Sequence, residues 1–331
     1  MSARAPQGLI SRVADRCLWL GRYIERSEST ARELQATHNL ALDGELTQRQ
    51  CWHPVVVVAG EEAPFRDRFG DAALDDGEEV QHYLVWDERC PVSVRRSIAA
   101  ARENARSIRD VLSADPWETL NELHLWFGGV PSQVEWQAQR DGFYRRVRQA
   151  TQLCLGLLRS TMLHDTALDF MWLGVLLERV GQTARLLDVH HHTFAEAGRA
   201  HQVLETAVWM SLLRACSGFE PFMRAHAGRV TGAAVAKFLL IEARFPRSIA
   251  YCVHSAYERL CAIRPPTDRD LPGGEALERL HTLDQWMWAL ALAAPVTPVS
   301  YDDRSLHENL THVVDEIAAI CETIGGELLG V

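Results

Sequence analysis

Residues 19–34 read W-L-G-R-Y-I-E-R-S-E-S-T-A-R-E-L, and residues 172–187 read W-L-G-V-L-L-E-R-V-G-Q-T-A-R-L-L. Nine of the sixteen positions are identical, and the shared residues include charged ones. A repeat kept for packing alone needs only its apolar residues, so the shared glutamate and arginines indicate a polar site. Because an internal repeat governs a whole architecture, this duplication is the starting point for predicting the fold.

The duplication extends beyond one helix. Further matching pairs of segments are 51–65 with 208–222, and 91–94 with 246–249. The blocks keep the same order and nearly the same spacing in both halves of the chain. We therefore predict two tandem copies of one unit of about 150 residues, 8–160 and 161–325, packed as one body about a pseudo-twofold axis.

Composition excludes some classes of function. The chain has 331 residues, of which 47% are hydrophobic and 24% charged, and its formal net charge is −10. A nucleic-acid-binding protein needs a basic surface to neutralise phosphates, so we expect no nucleic-acid partner. The longest apolar runs fall far short of the ~20 residues that span a membrane, so we expect no membrane partner either.

Cysteine usage bears on the compartment. The eight cysteines include no C-x-x-C pair, and most lie beside apolar residues, as is typical of buried free thiols in a reducing environment. The first ten residues also lack the apolar core of a signal peptide. We therefore expect a cytoplasmic protein.

Helical periodicity dominates the sequence, which predicts an all-α fold, a helical bundle. The predicted helices span residues 9–43, 93–113, 116–127, 134–160, 166–192, 200–226, 229–241, 247–263, 274–293 and 304–328. The valine-rich residues 55–58 are predicted as helix, because the matching segment of the second copy has a helical pattern. Residues 60–90 have the weakest pattern, and there we expect the least order.

The two motifs place charged residues on matching helix faces. At 100° per residue, one face of the first helix carries Gly21, Glu25, Ser29 and Arg32, adjoined by Arg26 and Thr30. The second helix repeats this face with Gly174, Glu178, Gln182 and Arg185, adjoined by Arg179 and Thr183. A helical glycine costs about 1 kcal/mol relative to alanine, so its presence in both copies predicts the close approach of a backbone or a ligand.

The spacing of the charges predicts contacts between helices. Glu25 and Arg32 lie seven residues apart, or about 10 Å along the helix, which is too far for an ion pair within one helix. We therefore expect each of them to reach another helix, including the counterpart from the other copy. Arg26 and Arg179 lie beside the glutamates and are expected to favour the ionised carboxylates.

Two interpretations of these charges stay open. One is a network of ion pairs that fixes the register of the two units, since losing one partner of a buried pair costs roughly 3–5 kcal/mol. The other is a site for an amino acid or a peptide, which carries both charges. In that site Glu25 and Glu178 are the candidate catalytic bases. The candidate substrate-binding residues are Arg26, Arg32, Arg179, Arg185, Ser29, Thr30 and Thr183.

Cofactor chemistry finds little support in the sequence. The pairs Glu79/His82 and Glu278/His281 imitate the ligands of a carboxylate di-iron bundle. They lie outside the repeat register, and the arginines beside the motif glutamates would repel cations. No P-loop, G-x-S-x-G or G-x-G-x-x-G motif occurs. We predict no metal and no cofactor.

Three stretches carry a resemblance to a known family. They are L-I-S-R-V-A-D-R-C-L-W-L-G-R-Y-I-E-R-S-E-S-T-A-R at 9–32, W-M-S-L-L-R-A-C-S-G-F-E-P-F at 209–222 and R-F-P-R-S-I at 244–249. With them the chain resembles the bacterial alpha-E family over nearly its whole length. The resemblance implies an all-helical protein associated with circularly permuted ATP-grasp proteins and transglutaminase-like peptidases. The acidic and basic motif residues of that family map onto Glu25, Arg26, Arg32, Glu178, Arg179 and Arg185.

That association suggests a system that forms or trims amide bonds. The resemblance thus implies a helical component of an ATP-grasp-linked amide-forming or peptide-modifying system, which binds an amino-acid-like or peptide-like substrate through its duplicated Glu/Arg helices. The alternative is a non-catalytic scaffold that docks the ATP-grasp partner and uses the Glu/Arg motif as a structural network. Since the chain has no nucleotide-binding motif, ATP chemistry is expected to belong to the partner.

Overall fold

The computed structural model consists of α-helices joined by short connections. It describes residues 11–44, 46–197, 202–226, 228–268, 270–293 and 303–330. Within these ranges the helices are α1 (Ser11–Leu42), α2 (Gln48–Val58), α3 (Glu62–Phe69), α4 (Gly77–Trp86), α5 (Val94–Ser107), α6 (Ala114–Phe127), α7 (Val130–Ala138), α8 (Arg140–Thr161), α9 (Thr166–Ala197), α10 (Gln202–Ala215), α11 (Phe219–Ala225), α12 (Gly232–Ile241), α13 (Ile249–Ile263), α14 (Gly274–Ala293) and α15 (Asp303–Ile324). The same ranges contain no β-strand, which confirms the prediction of an all-α fold.

Helices α1 and α9, of 32 residues each, carry the repeated motif and pack directly on each other. A Cβ atom added to Gly21 would overlap the backbone carbonyl of Met171, and one added to Gly174 would overlap that of Leu18. Only glycine leaves room for backbones this close, which explains why both helices tolerate a residue unfavourable to helix. The predicted close approach and the predicted proximity of the motif helices are both confirmed.

The other helices pack around this central pair. Helices α5 and α8 pack on α1, and α13 and α15 pack on α9. The apolar sides of the motif helices are buried, with Leu20, Ile24 and Leu173 at most 1% exposed. Burial of this apolar surface drives the packing and removes the charged faces of α1 and α9 from water as well.

Residues 60–90 are more ordered than the sequence suggested. They contain α3, a 3₁₀ turn (Asp71–Asp75) and α4. The carboxylate of Asp76 accepts hydrogen bonds from the backbone N–H groups of Glu78 and Glu79 and so caps α4. The acidic run D-D-G-E-E at 75–79 is therefore a helix N-terminus, where negative charge is favourable, and the expectation of weak order was wrong.

Two predicted helices are each divided in the structure. The helix predicted at 200–226 is broken at Ser217, whose φ of +52° lies in the left-handed region and separates α10 from α11. The helix predicted at 134–160 is divided between α7 and α8. The valine-rich residues 55–58 lie in α2, as predicted. Residues 9–10 and 200–201 of the predicted helices lie outside the described residues.

The state of the cysteines and the lengths of the helices bear on two further predictions. All eight cysteines are free thiols, and six of them are buried, as expected. In the described part of the chain, no helix is both long enough and apolar enough to cross a bilayer.

Candidate functional site

Glu178 of α9 is buried and held by two arginines of α1. Arg26 binds it with two parallel hydrogen bonds, Nε to Oε1 at 2.7 Å and Nη2 to Oε2 at 2.9 Å. The Nε atom of Arg22 donates to Oε2 at 3.0 Å. Burial alone would raise the pKa of Glu178, but the guanidinium groups of Arg26 and Arg22 outweigh it and lower the pKa to about 2.

Glu25 of α1 has the corresponding environment on the other side of the helix pair. Arg179 of α9 donates from Nε to Oε1 at 3.0 Å and from Nη2 to Oε2 at 2.7 Å. Arg247 and the hydroxyl of Ser29 also donate to Oε1, at 2.8 and 3.1 Å. Burial opposes ionisation, yet Arg179 and Arg247 lower the pKa of Glu25 to about 2.

Each of the two helices therefore binds the motif glutamate of the other helix. The arginine that follows each glutamate in sequence binds the glutamate of the other helix, so the prediction that Glu25 reaches another helix is confirmed. For Arg32 that prediction was wrong, because Arg32 forms its ion pair with Glu28, one turn earlier on the same helix. Bidentate guanidinium–carboxylate pairs fix relative orientation as well as distance. A carboxylate with a pKa of about 2 is also a weak base at neutral pH.

A cavity of about 310 Å³ opens beside Glu178, and we call it the Glu178 cavity. Its polar lining comes from Arg22, Arg26, Thr30 and Glu33 of α1 and from Glu178, Gln182 and Arg185 of α9. Helix α15 contributes Ile317 and Cys321, and the turn after α2 contributes Ala59 and Gly60. The volume lies at the lower end of the range for small-molecule sites.

Glu33 is the exceptional group of the Glu178 cavity. Its side chain is 4% exposed, and its Oε1 has no hydrogen-bond partner among the described residues. Burial raises the pKa of Glu33 to about 8, with Arg185 opposing this rise. A buried carboxyl group without a partner is costly, and one that titrates near neutral pH is a frequent feature of functional sites.

Arg185 supplies positive charge to the same cavity. Its Nε donates to the carbonyl oxygen of Val58 at 3.0 Å, and it forms no ion pair within 4.0 Å among the described residues. Burial lowers the pKa of Arg185, and although Glu178 opposes the fall, Arg26 adds to it. The cavity thus holds a guanidinium group and a carboxyl group that do not satisfy each other.

On the opposite side of the helix pair, which we call the Glu25 side, the charges are more densely paired. Arg247 donates to Glu28 Oε2 at 2.7 Å as well as to Glu25. Arg32 forms an ion pair with Glu28, and Gln152 donates to Glu28 Oε1 at 3.0 Å. Glu28 therefore binds three partners and has no free oxygen.

The structure divides the predicted site residues between two places. Three of them, Arg26, Arg185 and Thr30, line the Glu178 cavity. Four others, Arg32, Arg179, Ser29 and Thr183, lie on the Glu25 side, where the Thr183 hydroxyl donates to the carbonyl oxygen of Arg247 at 3.2 Å. The two candidate bases, Glu25 and Glu178, are each enclosed by arginines.

Sequence reasoning missed four charged residues of these sites: Arg22, Glu28, Glu33 and Arg247. Each occurs in one copy of the repeat only, so a comparison of the copies passes over them. Glu33 nevertheless had a signal, because it lies three residues after Thr30 and seven after Arg26, on the same helix stripe. In the described residues, no group of three or more His, Cys, Asp or Glu side chains could hold a metal ion.

The fold and the two sites define an all-α protein whose central helices exchange buried Glu–Arg pairs. A family model described as "a predicted alpha-helical domain with a conserved ER motif", Alpha-E, matches residues 9–328. The chain belongs to the Alpha-E family, which confirms the resemblance, and it has Glu-Arg at 25–26 and again at 178–179.

Curated relatives come from mycobacteria. An uncharacterized protein of Mycobacterium bovis and one of Mycobacterium tuberculosis are each 26% identical to this chain over 283 residues. Each match covers 81% of this chain and 30% of the relative, so the chain spans about a third of the length of these relatives. No solved structure matches the chain.

Proposed function

We propose that this protein is the helical, ligand-binding component of an ATP-grasp-linked system that forms amide bonds or modifies a peptide. Its ligand in this proposal is an amino acid or a short peptide held in the Glu178 cavity. The observation that carries the proposal is the buried Glu33 carboxyl group in the cavity lining. Among the described residues its Oε1 has no partner, and Arg185 beside it has no ion pair.

The charges favour a ligand with both an amine and a carboxylate. A cationic amine would satisfy the free oxygen of Glu33 and favour its ionised form. A carboxylate would accept hydrogen bonds from Arg185, whose planar guanidinium group suits two-point recognition. The cavity of about 310 Å³ favours a compact ligand.

The motif glutamates act in this proposal through the arginines that they hold. Glu178 binds Arg22 and Arg26, both of which line the cavity, so it orients cations that face the ligand. If the cavity carries out proton transfer, Glu33 is better suited than Glu25 or Glu178, because its pKa lies near neutral pH.

The proposed architecture is two copies of one unit, residues 8–160 and 161–325, about a pseudo-twofold axis. Reciprocal contacts support it: the glycines of α1 and α9 each approach the other backbone, and the Glu–Arg pairs are exchanged. Two tryptophans at matching positions also cover two glycines at matching positions, Trp52 over Gly77 and Trp209 over Gly232. Ser93 and Ser248 cap α5 and α13 in the same manner.

The proposed partners are a circularly permuted ATP-grasp protein and a transglutaminase-like peptidase. The resemblance of the motif stretches to the Alpha-E family implies these partners, and the sequence has no nucleotide-binding motif of its own. In the mycobacterial relatives the matched region is part of a longer chain, which is consistent with a function beside another domain. The proposed location is the cytoplasm, where free thiols stay reduced.

A non-catalytic scaffold for the ATP-grasp partner is the second candidate. It is favoured by the complete pairing of Glu25 and Glu178, which is what a structural network requires. A scaffold needs no ligand in the Glu178 cavity, so ligand binding separates the two candidates.

Calorimetric titration of the full chain with the standard amino acids and alanyl dipeptides tests the proposal. We expect at least one of these probes to bind, and Glu33→Gln to weaken that binding about tenfold by removing the countercharge of the amine. Glu103→Gln, an exposed glutamate, is the matched control and should bind as the parent does. Binding by no probe, together with stable co-elution with an ATP-grasp protein, would favour the scaffold.

A further inference from the structure

A second cavity lies next to the Glu25 side and shares no lining residue with the Glu178 cavity. Its volume is about 230 Å³, and three arginines from three different helices line it: Arg32 of α1, Arg148 of α8 and Arg214 of α10. We call it the arginine cavity. Glu220 is the one carboxylate in its lining, so the lining carries an excess of positive charge.

Two of these arginines have hydrogen-bond donors without a partner among the described residues. Arg32 is 2% exposed, and its Nε atom has no hydrogen-bond partner among the described residues. The Nε atom of Arg148 is likewise buried and unpartnered, while its Nη1 donates to Gln35. A buried guanidinium donor without an acceptor is costly, so these atoms indicate an acceptor that binds from outside the chain.

The carboxylates of Glu28 and Glu25 are already shared among several partners. Glu28, which pairs with Arg32, also binds Arg247 and Gln152, and Glu25 is shared between Arg179 and Arg247. Burial, together with the cations of Arg247 and Arg148, lowers the pKa of Arg32 to about 8. Arg32 is therefore a buried cation with other guanidinium groups nearby.

We propose that the arginine cavity binds a small oxyanion, a phosphoryl or carboxylate group, through Arg32, Arg148 and Arg214. Guanidinium groups recognise both kinds of oxyanion by paired hydrogen bonds, and the cavity is wide enough for a compact anion. Arg32 is buried and Arg148 is half-buried. Arg214 is exposed and lies 4.9 Å from the ring centroid of Phe219.

Thermal unfolding of the full chain at constant ionic strength provides the test, with sodium phosphate and sodium succinate as probes and sodium chloride as the reference. We expect a saturable rise in Tm with at least one oxyanion, and none with chloride. Tighter binding of phosphate would identify a phosphoryl site, and tighter binding of succinate a carboxylate site. Neither anion producing a saturable rise would overturn the proposal.

Variants tie the binding to the cavity. Arg148→Gln and Arg214→Gln should each raise the dissociation constant about tenfold for whichever of phosphate and succinate binds more tightly. Arg214 is exposed, so its replacement keeps the test valid if Arg148→Gln fails to fold. Arg146→Gln is the matched control on α8, because Arg146 pairs with Glu135 at 3.0 Å, outside the cavity lining. Equal affinities of the Arg214 and Arg146 variants would contradict the assignment.

The two proposals fail independently. Glu33→Gln changes the Glu178 cavity alone, so it should leave phosphate or succinate binding unchanged. Loss of oxyanion binding in Glu33→Gln would therefore also count against a separate site.

Discussion

The two sides of the α1–α9 contact start from the same motif and end in different chemistry. On the Glu25 side, Arg247 and Glu28 add further ion pairs to the Glu–Arg pair. On the Glu178 side, Val92 and Gly181 occupy the matching sequence positions, and both line the Glu178 cavity. A larger charged residue is thus replaced by a smaller one at both positions.

The motif and the residues around it therefore have separate roles. The shared Glu–Arg pairs hold the two helices in register on both sides. Whether a cavity opens beside them depends on residues that the two copies do not share. The duplicated motif therefore explains the stability of the helix pair, and the unshared residues explain where a ligand has room.

The largest expected effect comes from breaking the paired side. Glu25→Gln leaves the buried Arg179 without its countercharge and Arg247 with Glu28 alone, so it should lower the free energy of unfolding by about 3–5 kcal/mol. Urea unfolding measures it, with Glu103→Gln as an exposed control that should leave the free energy of unfolding nearly unchanged. A loss below about 1 kcal/mol for Glu25→Gln would mean that the pairs do not hold the helices.

The next largest effect concerns the contact that both sides share. Gly21→Ala would push the backbone of α9 away from α1 and should cost about 2–3 kcal/mol in unfolding free energy. Gly156→Ala in α8 meets nothing within 4 Å and should instead gain about 0.5–1 kcal/mol. Urea unfolding measures both changes in unfolding free energy, which are expected to have opposite signs. Equal changes in Gly21→Ala and Gly156→Ala would contradict the close approach of α1 and α9.

The two kinds of glutamate predict opposite dependences on pH. Glu25 and Glu178 have pKa values lowered from 4.5 to about 2, so their contribution is present above pH 4.5 and is lost as the pH falls toward 2. Glu33 has a pKa raised from 4.5 to about 8, so its contribution is present below pH 4.5 and is lost as the pH rises toward 8.

Stability should therefore fall by about 1–3 kcal/mol between pH 5.5 and 7.5 because of Glu33. Urea unfolding of the parent and of Glu33→Gln across this range measures the effect. The variant should lose that part of the slope. An unchanged slope in Glu33→Gln would show that the group does not titrate as its burial predicts.

The smallest effect on stability is expected from making the two sides alike. Val92→Arg places a guanidinium group at the position that matches Arg247 and should fill the Glu178 cavity by pairing with Glu178 or Glu33. We expect the unfolding free energy to change by less than about 1 kcal/mol, while ligand affinity falls at least about tenfold. Val92→Ala enlarges the cavity and is the control. If Val92→Arg binds the ligand as tightly as the parent does, the small residue at position 92 is not what leaves room for the ligand.

Much of the fold could be predicted from the sequence, because the motif glycines and charges occur twice. That repetition indicated that α1 and α9 are neighbours and that their charges reach across. The site could be predicted only in part, since Glu33 and Arg247 each lack a counterpart in the other copy. The order of residues 60–90 was missed because the capping role of Asp76 depends on a helix that packs through buried residues such as Leu84.

The most direct test of the account compares a glutamate of the network with the glutamate of the cavity. Both variants replace a glutamate beside the same cavity by glutamine. Urea unfolding of Glu178→Gln and Glu33→Gln at pH 7 distinguishes a glutamate that stabilises the helix pair from one that is available to bind a ligand. We expect a loss of about 3–5 kcal/mol in unfolding free energy for Glu178→Gln and a change within about 1 kcal/mol, or a gain, for Glu33→Gln. Equal losses in both variants would make Glu33 part of the structural network and rule out a separate role for it in the cavity.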